Sequence, residues 1–243
     1  MRGRPPLPME TIIDAALQIV DEEGGEALSM RALARRLDSG TATIYRHFAN
    51  RTEVVAHVVD RVFGEVQLDD PALARMPWQD ACIVSSRALF DALRRHPNVA
   101  MLLADQIPVG PNVFMIREHT LTLCLQAGFS PAEAIRIYMT LGRYVLGFAN
   151  QIGAEHRASE ADIAMLTRLV ENIDLASYPS TLATAGVTLV PLDEEFDFGL
   201  GLIVAGLEGF GTASSDTVRT ESMPARSSRQ NDHDDRIGVR FEY

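Results

Sequence analysis

Apolar positions recur along most of this chain at the three-and-four spacing of helices. Ile13, Ala16, Leu17 and Val20 form the first such stripe and predict a helix over Met9–Glu23, ended by Gly24-Gly25. Ser29 then stands as the cap of a second, shorter helix that turns Met30, Leu33, Ala34 and Leu37 inward. Asp38-Ser39-Gly40 breaks the chain. A third helix is predicted over Thr41–Phe48, held by Ile44 and Phe48. Asn50, with Glu53 three residues on, has the form of a capping box for a fourth helix. The stripe of that helix is Val54, Val55, Val58, Val62 and Phe63.

The helical pattern continues downstream. Pro77-Trp78 opens a helix that His96-Pro97 closes, and a short helix is expected near Asn98–Asp105. After the breaker run Pro108-Val109-Gly110-Pro111, a helix near Asn112–Ala127 ends at Gly128. Ser130-Pro131-Ala132-Glu133 combines a cap, a proline at the first helical position and a reciprocal glutamate, starting a helix that reaches about Gln151. A further helix is predicted near Ser159–Ala176, then a loop over Ser177–Leu192, then a last helix over about Asp193–Phe210.

Phe196–Leu207 is apolar almost all round, so it calls for burial on more than one face. Its Gly199, Gly201 and Gly206, with Gly142 and Gly147 upstream, would let another helix approach closely and suit a two-fold interface between subunits. The fold class that follows is all-α. Three segments are expected: a small helical domain over residues 1–66, a larger helical domain over 67–211 that suits dimerisation, and a disordered tail over 212–243.

Composition narrows the class. Hydrophobic residues make up 47% of the 243, ample for a core. No apolar run approaches the ~20 residues of a membrane span, and the first residues lack the apolar segment of a signal peptide. A soluble, cytoplasmic protein with no membrane partner is expected. Cys82 and Cys124 are the two cysteines and lack zinc-type spacing.

The net charge of −11 argues at first against a nucleic-acid partner. Its distribution reverses the inference. Ser29–Arg51 holds Arg31, Arg35, Arg36, Arg46 and Arg51 against Asp38 alone, while most of the acidity lies beyond residue 66. A local basic stripe suffices for phosphate contacts. Together with the short helix, break and short helix of Ser29–Phe48, it points to a helix-turn-helix whose second helix enters the DNA major groove.

Residues 9–66 resemble the N-terminal domain of the tetracycline-repressor (TetR) family of bacterial regulators. The likeness rests on the first amphipathic helix, on Leu28-Ser29-Met30-Arg31-Ala32-Leu33-Ala34, on Thr43-Ile44-Tyr45-Arg46-His47-Phe48 and on Asn50-Arg51. Trp78-Gln79-Asp80, Gln126-Ala127-Gly128-Phe129-Ser130, Phe198-Gly199-Leu200 and Gly206-Leu207-Glu208 extend it to about residue 210.

The resemblance implies a homodimeric repressor. It would bind a palindromic double-stranded DNA operator and leave it when a small hydrophobic or aromatic inducer enters the C-terminal domain. By position, Arg31 would read a base and Thr41, Ala42 and Thr43 would meet base edges. Tyr45 and His47 would contact phosphate, as would Arg51 at the start of the fourth helix. Arg46 stands where the tetracycline repressor has an aromatic residue.

The ligand pocket implied in the same way is Gln67, Ser85, Leu89, Leu103, Pro108, Leu121, Ile135, Met139 and Gln151. Leu103 and Gln151 occupy the places of metal-holding residues, so magnesium-tetracycline does not suit this chain, and no metal or cofactor is expected. No nucleophile–base pair, phosphate loop or metal-ligand cluster supports an enzyme. The competing reading is a DNA-binding regulator without small-molecule input, acting as an activator or through a protein partner.

Overall fold

A computed structural model of the chain describes residues 7–103, 107–157, 159, 161, 164, 165, 168, 169, 172–184 and 190–217. Among them ten α-helices and no strand are formed. They are α1 (Met9–Glu23), α2 (Met30–Arg36), α3 (Thr41–Tyr45), α4 (Arg51–Phe63) and α5 (Trp78–Arg95), followed by α6 (Pro97–Leu102), α7 (Pro111–Gln126), α8 (Pro131–Arg157), α9 (Pro179–Thr184) and α10 (Leu192–Thr217). No helix among the described residues is long and apolar enough to cross a membrane.

Caps set several of these boundaries. The Ser29 hydroxyl accepts the N–H of Ala32 at 3.1 Å and starts α2. Asn50 Oδ1 accepts the N–H of Glu53 at 3.0 Å, while Glu53 returns a carboxylate to the N–H of Ala49. The box therefore closes one residue earlier than its sequence form suggests. At α8 the box is reciprocal: Glu133 Oε2 accepts the Ser130 N–H at 2.8 Å, and Ser130 Oγ accepts the Glu133 N–H at 3.3 Å.

Three boundaries differ from the sequence reading. α3 ends at Tyr45 rather than Phe48, because the N–H of His47 bonds to the Ile44 carbonyl and tightens the last turn. α8 runs six residues past Gln151. α10 continues to Thr217, into the segment expected to be a disordered tail, and the rest of that tail lies outside the described residues. The expected helix over Ser159–Ala176 falls partly on residues outside the description; of the described ones, Ala161, Ala164, Met165, Arg168 and Leu169 are helical, and the expected loop after it contains α9.

A three-helix unit of α1, α2 and α3 is closed by α4. Ile12, Ile19, Leu33, Ile44, Phe48, Val55 and Val58 are fully buried in its core. α4 also packs on α5, α6 and α7, so it belongs to both halves of the molecule. In the second half α8 packs along α5, α6 and α7, and α10 lies across α5 and α8. Phe196 fastens α10: its ring stacks on Phe90 at 4.1 Å and 9°, and its carbonyl accepts the Tyr144 hydroxyl at 2.8 Å. Arg87–Asp197 (2.7 Å) and Arg94–Asp193 (2.6 Å) bind the same helix to α5.

Candidate DNA interface and regulatory pocket

α3 is only five residues long, so its placement depends on tertiary packing rather than on intrinsic helicity. Ile44 and Phe48 are buried beneath it, and the Phe48 ring meets His57 of α4 edge-on at 5.3 Å. This packing turns the other side outward. Thr41, Ala42, Tyr45 and Arg46 are exposed there, with Tyr45 at 56%, and Thr43 and His47 are half-buried beside them. Arg46 reaches back to the Thr43 hydroxyl at 3.4 Å. Arg31 is exposed on neighbouring α2. An exposed tyrosine, two threonines and arginines on one short helical edge form a surface able to meet both bases and phosphates.

Two arginines of the basic stripe are committed elsewhere. Arg36 is held by Glu22 and Glu23 at 2.7 and 2.9 Å, bracing α2 on α1. Arg51 donates from Nε to the Leu28 carbonyl at 2.8 Å and from a terminal nitrogen to the Gly25 carbonyl at 2.7 Å. The Arg51 side chain, expected to contact phosphate, is thus held against the bend between α1 and α2. Its guanidinium satisfies carbonyls of the bend between α1 and α2.

A cavity of about 550 Å³ opens in the second half, between the start of α5, the segment before it and the last turns of α7. Leu68, Met76, Trp78 and Leu123 give it apolar wall; His119, Thr122 and Gln126 give it hydrogen-bonding groups; Asp69 and Asp70 add acidic ones. His119 Nε2 lies 2.9 Å from the Ser85 hydroxyl. Burial lowers the pKa of His119 from its ordinary value, so the ring is neutral near pH 7. A neutral imidazole both donates and accepts.

None of the nine residues expected to line a pocket borders this cavity. Ser85 is buried and touches it through His119. Leu89 and Leu103 fill the core, while Pro108 and Leu121 are half-buried. Gln67, Ile135, Met139 and Gln151 are exposed. The physical reason for the last three is the roll of α8. Its Ala134, Ile137, Leu141, Val145 and Ala149 take the buried face, which leaves Ile135 and Met139 outside it. Leu103 offers no metal-binding atom and Gln151 no charge, so a magnesium chelate held at these two positions does not fit.

No motif in the sequence marks His119, and only its contact with Ser85 reveals it. His96 is a second such case. It ends α5, with Nδ1 2.8 Å from Asp21 of α1 and Nε2 3.1 Å from Glu65, just after α4. Arg95 joins Glu65 at 2.9 Å, and the Asn98 amide donates to the Asp21 carbonyl at 3.2 Å. Burial raises the pKa of Asp21 against the opposing bond from His96. Burial also opposes ionisation of Glu65, but the bonds from Arg95 and His96 outweigh it and lower the pKa. This joint ties the DNA-facing unit to the second half.

Comparisons with known proteins agree with this architecture. Residues 12–58 match the family model "Bacterial regulatory proteins, tetR family", and residues 70–210 match "Tetracyclin repressor-like, C-terminal domain". The transcriptional repressor DrrR1 of Streptomyces coeruleorubidus is 30% identical over 214 residues, covering 84% of this chain and 78% of that protein. ActR of Streptomyces coelicolor superposes with a TM-score of 0.74 at 30% identity, over 88% of this chain and all of ActR, and ActR has also been solved with actinorhodin. BioQ of Mycobacterium smegmatis, solved on its double-stranded DNA operator, gives a TM-score of 0.60 at 27% identity, over 84% of this chain and 99% of BioQ. With its exposed helix-turn-helix edge and its tetracycline-repressor-like second half, the chain belongs to the TetR family of bacterial transcriptional repressors.

Proposed function

We propose that this protein acts as a homodimer on a palindromic operator and is released from it by a small aromatic or hydrophobic compound. Residues 1–66 form the DNA-reading domain and 67–211 the regulatory domain. Arg31, Thr41, Ala42, Thr43, Tyr45, Arg46 and His47 form the reading surface. The inducer takes the cavity beside Trp78, with His119, Thr122 and Gln126 orienting its polar groups. ActR, solved with actinorhodin, supports a small-molecule ligand by analogy.

The observation that carries this reading is that α7 links the cavity to α4, the helix that closes the reading domain. Its last turns line the cavity, and its start is bonded to α4 of the reading domain. A ligand that binds better in one arrangement of these helices than in the other shifts the population between them.

The faces left uncovered support the dimer. Phe198 and Leu202 of α10 are 69% and 59% exposed, and a Cβ at Gly142, Gly147, Gly201 or Gly206 would meet nothing within 4 Å. A two-fold axis also places two recognition helices about 34–36 Å apart, as successive major grooves require.

Selection of purified protein on random-sequence DNA tests the reading. A palindrome should be enriched, and Tyr45→Ala should weaken binding to it about tenfold or more, the range of one lost phosphate or base contact, with no change in melting temperature. Recovery of no palindrome would refute operator binding. Binding that persists against a library of aromatic metabolites, yet yields to a protein partner, would favour the regulator without small-molecule input.

A further inference from the structure

Asp60 lies within α4, is 7% exposed, and serves a helix other than its own. Its Oδ1 accepts the backbone N–H groups of Asn112 at 2.9 Å and Val113 at 3.1 Å, in the first turn of α7. Its Oδ2 accepts the Asn112 side-chain amide at 2.9 Å, and the same amide donates to the Asp60 carbonyl at 3.0 Å. The residue preceding α7 is Gly110, which supplies no side-chain cap. It adopts φ 153°, and a side chain there would run into the Asp60 carboxylate. The start of α7 is thus built to receive a carboxylate from α4, 52 residues away in the chain.

We infer that Asp60 is the positioning residue that sets the angle of the DNA-reading unit. The recognition helix leads into the N-terminal end of α4, and Asp60 stands nine residues beyond Arg51, about 13 Å along the helix axis. The four hydrogen bonds fix both distance and direction, because a carboxylate capping two successive N–H groups has little freedom to rotate. A slip at this point swings the reading edge through the length of α4. In a dimer it alters the separation of the two recognition helices, so the inference rests on the two-fold reading given above.

The test is the dependence of binding on operator spacing. The palindrome recovered by selection is rebuilt with its half-sites moved apart or together by one and two base pairs, and full-length protein is titrated against each. Wild-type protein should prefer one spacing. Asp60→Ala should reduce that preference about tenfold or more, and Asp60→Asn, which keeps an acceptor oxygen, should stay within about threefold of wild type. Asn112→Ala removes two of the four bonds and leaves the backbone cap, so it should fall between them and reports even if Asp60→Ala does not fold. Preserved spacing preference in the folded Ala variants overturns the inference, as does equal loss of affinity at every spacing. A wild-type protein indifferent to spacing overturns the two-fold reading, and this inference with it.

Discussion

Arg51 shows how one side chain can look like a DNA contact and work as a brace. It stands at the start of α4 among other arginines, yet its guanidinium is committed to the carbonyls of Gly25 and Leu28. Arg51→Ala should therefore lower stability by about 1–3 kcal/mol, the cost of leaving such acceptors unpaired, measurable by denaturant unfolding without DNA. An unchanged unfolding midpoint would return Arg51 to the DNA face. His119 carries a different signature. Its folded pKa is depressed by burial, so below its ordinary value the unfolded chain binds a proton that the folded chain refuses. Stability contributed by His119 is complete above that ordinary value and is lost as pH falls below it. His119→Gln should lose less melting temperature than wild type between about pH 7.5 and 5.5, the range around a histidine's usual pKa; equal losses would contradict the assignment. Ser29, Asn50 and Ser130 were legible as caps because their partners lie within a turn. The roles of Arg51, His96 and His119 were not, because their partners lie 23 to 75 residues away.

Helices with a one-sided stripe were readable nearly to the residue: α1, α4 and α5 follow their apolar spacing and caps. α3 was read too long because its end tightens where the N–H groups of His47 and Phe48 share the Ile44 carbonyl, and sequence carries no sign of that choice. α8 was read correctly in place, but its roll about its axis was not legible. Two neighbouring apolar faces compete there, and packing on α5, α6 and α7 decides between them. Ile135, Met139 and Gln151 stand outside the buried face for this reason: positions carried over from a related protein give the helix but not its rotation. α10 offers the sharpest test at this scale. A Cβ at Gly199 would collide with the Tyr144 hydroxyl, the group that also bonds the Phe196 carbonyl. Gly199→Ala should cost about 1–3 kcal/mol through overpacking. Adding Tyr144→Phe, which removes the obstructing hydroxyl, should give a double variant more stable than the sum of the two single effects predicts. Strict additivity would show that the two positions do not meet.

At the scale of the whole molecule, exposed apolar surface and charge complement each other. The basic residues free to face DNA are few, and the acidic excess lies in the second half, away from the reading edge. The uncovered side of α10 should be where two copies join. Phe198→Glu or Leu202→Glu should convert a dimer into a folded monomer with weakened operator binding, as judged by sedimentation and circular dichroism. A dimer unaffected by either change would place the joining surface elsewhere. The joint at His96 has a consequence for hybrid regulators made by exchanging DNA-reading domains between relatives. Asp21 and Glu65 lie on one side of a splice near residue 66, and Arg95, His96 and Asn98 lie on the other. A transplanted reading domain would arrive with half-buried carboxylates whose partners stayed behind. Exchanges that carry both sides of this charge cluster should fold and respond, whereas a cut at the apparent domain boundary would yield proteins that recognise their sites but no longer hear the signal.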